Sequence, residues 1–307
     1  TRAITLDNVG LSKFDFAPST ALKQLDLSRN NISEIDLSKY PKLEYLSMSD
    51  NKLTKLDLTK NKDLIVVSLS RNNLTEVKFR GLTALESLDL TANSMTTLDC
   101  KPLLNLGQLF VSNNKLTSIN VRNNAHLRAL NLVGNNLRFS ALPPTNGTYR
   151  TSYAYQRQNP VDVSVNGNKV DLSSEAVIDG TPTMYRWFTG NVNVDKNGNL
   201  QGEEFDVDAE YTVTNGVTTL KLTKRYEDLV CVMTNAKFPK LLLHTKHIRF
   251  IPDATGIEGV NADNTDTFIK VVEGGIVVEA ATGSTVNVYG INGGLVQKAK
   301  MNGTSQS

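Results

Sequence analysis

Cysteine is nearly absent, with 2 residues in 307, too few for a disulfide framework. Histidine numbers only 3, which leaves little material for a histidine-rich metal site or for several acid–base roles. No apolar run approaches the roughly 18 residues that a membrane helix needs. Neither sign of charge prevails: 33 lysines and arginines stand against 31 aspartates and glutamates, a net charge of +2. That balance carries no global electrostatic footprint for nucleic acid. There is no G-x-S-x-G, no H-E-x-x-H, no P-loop and no dinucleotide glycine fingerprint. The expectation is a chain that is not an enzyme and has neither metal nor cofactor. Disorder is also excluded, because hydrophobic residues make up 39% of the chain and charged residues 21%. At roughly 100–200 residues per domain, the length allows two or three domains. The chain starts at Thr1 without a charged-then-apolar leader, so either a leader has been removed or the chain was trimmed.

What is present is a repeat. Leu22, Leu43, Leu64, Leu85, Leu106 and Leu127 recur every 21 residues. Each is followed in phase by Leu25, Leu46, Val67, Leu88, Leu109 or Leu130, then by Leu27, Met48, Leu69, Leu90, Val111 or Leu132. Asparagine comes next every time, at Asn30, Asn51, Asn72, Asn93, Asn114 and Asn135. Six copies thus match L-x-x-L-x-L-x-x-N-x-L, and an incomplete copy with Ile4, Leu6, Val9 and Leu11 precedes them. The L-x-L alternation places alternate side chains on one face of a short strand. Such a strand cannot bury its face alone, so the copies stack into a solenoid. The asparagine amide, with donors and an acceptor, can satisfy backbone groups exposed where the chain turns. A second alternation, as in Leu56 and Leu58 or Val77 and Phe79, makes the back of each coil extended as well. Cys100 falls in that inward column and reads as a small buried hydrophobe. The segment resembles the leucine-rich repeat family, and within it the short bacterial repeats of internalin-like surface proteins.

The concave strands expose the residues between the leucines. One column reads Gln24, Tyr45, Val66, Ser87, Gln108, Ala129, and a second Asp26, Ser47, Ser68, Asp89, Phe110, Asn131. A third, Ser28, Ser49, Ser70, Thr91, Ser112, Val133, reads as turn chemistry in which hydroxyls bond nearby backbone. Most positions are small and uncharged. The candidate binding residues are Tyr45, Ile65, Val66, Gln108 and Phe110, because exposed aromatic and aliphatic side chains are the usual anchors of protein interfaces. The same aromatics fit sugar stacking, or cover for the leucines beneath. Charge in residues 1–140 is 18 basic against 13 acidic, or +5, distributed without a nucleic-acid stripe.

The periodicity stops near Leu137, and Ala141-Leu142-Pro143-Pro144-Thr145-Asn146-Gly147 is a breaker cluster. Residues 1–140 are therefore assigned to the solenoid. Residues 141–252 read as short strands, expected over Val161–Val165, Met184–Phe188, Phe205–Val213, Thr218–Leu222, Leu229–Thr234 and Leu241–Phe250. Asn166-Gly167, Asn197-Gly198 and Asn215-Gly216 mark hairpin tips. Trp187, in Tyr185-Arg186-Trp187-Phe188, and Cys231, in Leu229-Val230-Cys231-Val232-Met233, give this part its resemblance to an immunoglobulin-like β-sandwich. The resemblance implies that Trp187 lies over the core and Cys231 on the strand facing it. No second cysteine stands on an earlier strand, so both thiols are expected to be free.

Asp195-Lys196-Asn197-Gly198-Asn199 opens a segment with the oxygen side chains of a calcium loop. Leu200 replaces its required glycine and Asp206 its closing glutamate, and an Asn-Gly turn explains the segment. His244 and His247, three apart on an expected strand, should face opposite ways and make no zinc pair. Residues 253–307 form a small β module expected at Phe268–Val272, Gly275–Ala280 and Thr285–Tyr289. They resemble the type IX sorting modules of Bacteroidetes surface proteins, with Gly290 and Gly294 in place of the acidic residue and the arginine and without the closing G-x-Y-x-V strand. A truncated chain and a non-sorting relative both fit.

The fold class is thus mainly β: a leucine-rich-repeat parallel-β solenoid followed by two β-sandwich-like domains. The resemblances imply a secreted or cell-surface protein without a membrane span in this chain, whose partner is another protein or, alternatively, a surface glycan, and not nucleic acid. A purely structural spacer is the third reading.

Overall fold

One residue on either side of an inward apolar residue makes a strand only three residues long, and the computed structural model shows such strands twice in each of four coils. It describes residues 1–145, 152–194 and 200–252, together with the strand segments 268–272, 275–279, 285–289, 295–300 and 305–306. In chain order the solenoid strands are β1 (Ala3–Thr5), β2 (Gln24–Asp26), β3 (Tyr45–Ser47), β4 (Lys55–Asp57), β5 (Val66–Ser68) and β6 (Glu76–Lys78). They continue as β7 (Ser87–Asp89), β8 (Thr97–Asp99), β9 (Gln108–Phe110), β10 (Ser118–Asn120), β11 (Ala129–Asn131) and β12 (Ser152–Ala154). An eight-stranded parallel sheet runs β1-β2-β3-β5-β7-β9-β11-β12, and the back of the coils carries the pairs β4-β6 and β8-β10. Each central leucine or valine, from Leu25 to Leu130, is at most 2% exposed.

The asparagines tie one coil to the next. Asn72 Nδ2 donates to the carbonyls of Met48 at 2.9 Å and Leu69 at 3.1 Å, and its Oδ1 accepts from Leu53 N at 3.0 Å. The same pattern holds at Asn30, Asn51, Asn93, Asn114 and Asn135. The residue before the asparagine turns through the left-handed region in every one of these coils, for example Arg29 (φ 55), Ala92 (φ 55) and Asn113 (φ 55). L-residues resist that conformation, so the paired amide beside it is what holds the turn. Cys100 is fully buried between coils as a free thiol.

The sheet extends past the boundary expected at residue 140. β11 pairs in parallel with β12, placing Leu130 beside Tyr153. This last coil is 23 residues long, from Leu130 to Tyr153, instead of 21. Tyr153 and Tyr155 occupy the leucine positions and are 8% and 4% exposed. Gln158 takes the asparagine's place: its Nε2 donates to Leu132 O and Tyr155 O at 2.9 Å, and its Oε1 accepts from Leu137 N at 3.2 Å. Glutamine's extra methylene and two extra residues kept the coil outside the repeat pattern, although the interactions are unchanged.

Antiparallel strands follow: β13 (Val165–Asn166), β14 (Lys169–Asp171), β15 (Val177–Ile178), β16 (Thr181–Val194) and β17 (Leu200–Glu204), then β18 (Tyr211–Thr214), β19 (Val217–Leu220), β20 (Tyr226–Asn235), β21 (Leu243–His244) and β22 (Ile248–Phe250). One sheet has the order β13-β14-β19-β18, the other β15-β16-β20-β21 with β17 beside β16 and β22 beside β20. Most of their buried residues belong to one core, while Phe188, Val230 and Val232 form a second, smaller cluster. Trp187 Nε1 donates across it to Thr218 Oγ1 at 3.1 Å, and Tyr211 donates its hydroxyl to Tyr185 O at 3.2 Å. Trp187 and Cys231 are both fully buried, but they sit directly opposite each other on neighbouring strands of one sheet.

Two expected strands are interrupted. In Phe205–Val213 the chain turns at Asp206–Glu210 before β18 begins, because Asp208 takes a left-handed φ of 69°. In Leu241–Phe250 Thr245 breaks the ladder, its Oγ1 accepting from Cys231 N at 3.0 Å, so His244 and His247 do not share a strand. The calcium-like residues Asp195 to Asn199 lie outside the described residues. The C-terminal strands β23 (Phe268–Val272), β24 (Gly275–Glu279), β25 (Thr285–Tyr289), β26 (Leu295–Lys300) and β27 (Ser305–Gln306) form the sheets β23-β24-β27 and β25-β26.

Candidate functional site

The parallel register fixes which side chains meet on the concave face. Tyr45 lies directly beside Val66, Val66 beside Ser87, Ser87 beside Gln108, and Asp89 beside Phe110. Tyr45 is 41% exposed, although the leucines around it are wholly buried. Gln108 is also exposed, whereas Ile65, Val66 and Phe110 are half-buried. The five candidate residues therefore share one face but form two groups. Tyr45, Ile65 and Val66 lie together, and Gln108 and Phe110 sit on β9, with the coil of β7 between the groups. Tyr45 and Gln108 are three strand steps apart, roughly 14 Å at the usual strand spacing.

Of the flanking column, which precedes the strand, only Ile65 was singled out from the sequence. It runs Lys23, Glu44, Ile65, Glu86, Gly107, Arg128. Lys23 Nζ and Glu44 Oε1 pair at 2.5 Å. Glu86 is exposed and forms no ion pair among the described residues. Reading one position further toward the leucine in each repeat would have found it.

On the other side of the strands, acidic and amide side chains brace the turn. Asp26 Oδ1 accepts from Ser28 N at 2.9 Å, Asp89 Oδ1 from Thr91 N at 2.8 Å and Asn131 Oδ1 from Val133 N at 3.2 Å. The serine column was expected to bond backbone; its hydroxyls instead bond other hydroxyls, in the second column and in their own. Ser28 and Ser47 approach to 2.7 Å, Ser49 and Ser68 to 2.9 Å, and Ser70 and Ser49 to 3.0 Å. Neighbouring coils bring these hydroxyls within reach, which a single repeat cannot reveal. At the rim, Arg71 pairs with Asp50 through two bonds of 2.5 and 2.6 Å, and Arg29 pairs with Asp7. The Arg71 guanidinium holds the Asp50 carboxyl below its ordinary range, and Arg29 does the same for Asp7.

Among the described residues no three histidine, cysteine, aspartate or glutamate side chains gather to hold a metal. Burial pushes both thiols, Cys100 and Cys231, well above the ordinary range, so neither is a nucleophile. Two clefts of about 560 and 550 Å³, one beside Ser118 and Pro144 and one beside Arg138 and Lys169, contain neither histidine nor cysteine. No helix among the described residues is long and apolar enough to cross a membrane.

A family model described as leucine-rich repeats, two copies, matches residues 20–60. Those residues are leucine-rich repeats. The coils on either side keep the same register and the same amide ladder, so the leucine-rich-repeat solenoid is the scaffold of the concave face. Among solved structures, the chain is similar to InlP of Listeria monocytogenes, at 20% identity over 80% of this chain and 65% of that one, with a TM-score of 0.46. It is also similar to the functional domain of InlJ from Listeria monocytogenes, at 16% identity over 78% of this chain and 60% of that one, with a TM-score of 0.41. This chain thus spans less than two thirds of either structure. No curated protein matches it.

Proposed function

We propose that the chain is a non-catalytic protein-interaction module whose leucine-rich-repeat solenoid presents its concave face to a partner protein. The observation that carries this reading is the exposure of Tyr45 beside half-buried Ile65 and Val66, on a sheet whose leucines are already covered from below. A preformed face of this kind loses little entropy on binding. We read the chain as an exported, cell-surface protein of bacterial type in which immunoglobulin-like strands after the solenoid hold that face away from the surface; the resemblances in residues 149–250 and 253–307 support this.

The test uses binders to the intact chain selected from a displayed library of small folded domains, alongside a glycan array. Changing Tyr45 and Phe110 to serine together should leave the circular dichroism unchanged and weaken the selected binders by more than ~1 kcal/mol, about fivefold. Unchanged affinity for every binder would remove the concave face from the function. Array-positive glycans whose binding needs Tyr45 and Phe110 would favour the glycan reading instead.

A further inference from the structure

In the middle of the concave face the charge runs against that of the solenoid that carries it. Residues 1–140 are net +5, with 18 basic against 13 acidic side chains. Yet on the four successive coils from Tyr45 to Phe110, the outward positions hold Glu44, Glu86 and Asp89 and no lysine or arginine. Glu44 is neutralised by Lys23. Glu86 and Asp89 form no ion pair among the described residues.

These two carboxylates occupy the coil between the two apolar groups. Each has an open neighbour. Asp89 lies directly beside half-buried Phe110 and spends only Oδ1, on Thr91 N. Glu86 lies beside Gly107, whose amide donates to Glu86 O at 2.8 Å and which contributes no side chain. A cation arriving at Asp89 therefore also meets an aromatic ring, a favourable pairing. One arriving at Glu86 meets a gap in the column, with Ile65 on the far side.

Resting on the reading that this face binds a protein, we propose that the partner's contact segment is basic and apolar: lysine or arginine side chains that engage Glu86 and Asp89, flanked by aliphatic or aromatic residues that cover Tyr45, Val66 and Phe110. Charge complementarity of this kind sets which partners dock and how fast, more than it sets raw affinity. An acidic partner would be drawn to the net-positive coils yet repelled from this face.

The experiment pans a displayed library of random peptides on the intact chain and measures the recovered peptides against variants. Asp89→Asn removes the charge and keeps the turn, since Asn131 makes the same bond at the equivalent position; Glu86→Gln touches an exposed group. The recovered peptides should pair lysine or arginine with a nearby aromatic or aliphatic residue. The double variant Glu86→Gln, Asp89→Asn should weaken them at least tenfold at low salt and less at high salt, and Lys78→Glu on the back of the coil should leave them unchanged. Peptides that need Tyr45 and Phe110 but ignore the double charge variant would overturn this inference alone. Peptides that ignore both pairs, acidic peptides, or no peptide bound to this face would overturn it as well, the first of these together with the reading of the face as a binding surface.

Discussion

Asn72 shows how much of the solenoid rests on single side chains. Its amide is buried at 8% exposure and bonds backbone in its own coil and in the coil before it. Replacing it with alanine strands those groups away from water, at about 1–3 kcal/mol. Lys60 is exposed and has no such duty. Chemical denaturation should therefore place Asn72→Ala well below Lys60→Ala in midpoint, and coincident midpoints would refute the ladder. The asparagine role was readable from one repeat, because an amide at a turn has few other uses. The left-handed residue beside it was not, since arginine, aspartate, alanine and asparagine all occupy that position. A side chain does not announce the conformation that its neighbour's hydrogen bonds impose.

At the scale of elements, the two hairpins in the antiparallel region make a matched pair. Asp179-Gly180 joins β15 to β16 and Asn215-Gly216 joins β18 to β19, each with both central residues at positive φ. A Cβ on Gly180 would meet nothing within 4 Å, whereas one on Gly216 would lie 2.7 Å from Ser173 Cα and 2.9 Å from Leu172 O. Gly180→Ala should cost only the backbone strain, about 1–2 kcal/mol, and Gly216→Ala distinctly more. Thermal melts of the two variants compare them directly; equal shifts would mean that the Ser173 turn yields freely. The Asn215-Gly216 turn was legible in the sequence as a hairpin tip. Its closeness to Ser173 was not, because residues 43 apart meet only through the packing of β14 against β19.

Across the whole molecule, the solenoid and the antiparallel sheets share one hydrophobic core, from Leu22 to Phe250. At their junction Phe139 stacks on Phe238 at 6.0 Å, and Tyr155 meets the same ring edge-on at 5.6 Å. Val161 bridges in parallel to Thr245. Glu175 is fully buried there without an ion pair among the described residues, its Oε1 accepting from Ser140 Oγ at 2.6 Å and its Oε2 from Ser140 N at 3.1 Å. Calorimetry should thus show the solenoid and these sheets melting together, and Glu175→Ala should lower that transition by about 1–3 kcal/mol of stability, because it leaves both Ser140 donors unpaired. Separate transitions in the unaltered chain would mean that the junction does not couple the two parts.

The repeat, its register and its buried columns were determined by the sequence alone, because a 21-residue period with leucine and asparagine at fixed places admits one way of stacking. The same register puts Tyr45, Val66, Gln108 and Phe110 on one face. Tertiary structure decided the rest. Tyr153, Tyr155 and Gln158 became a further coil only because the preceding coil offered them a leucine core and orphaned backbone groups. Phe110 proved half-buried, Glu86 unpaired and Glu175 the contact that joins two sheet systems, since each of these depends on neighbours distant in the chain, and a one-dimensional pattern does not record who those neighbours are.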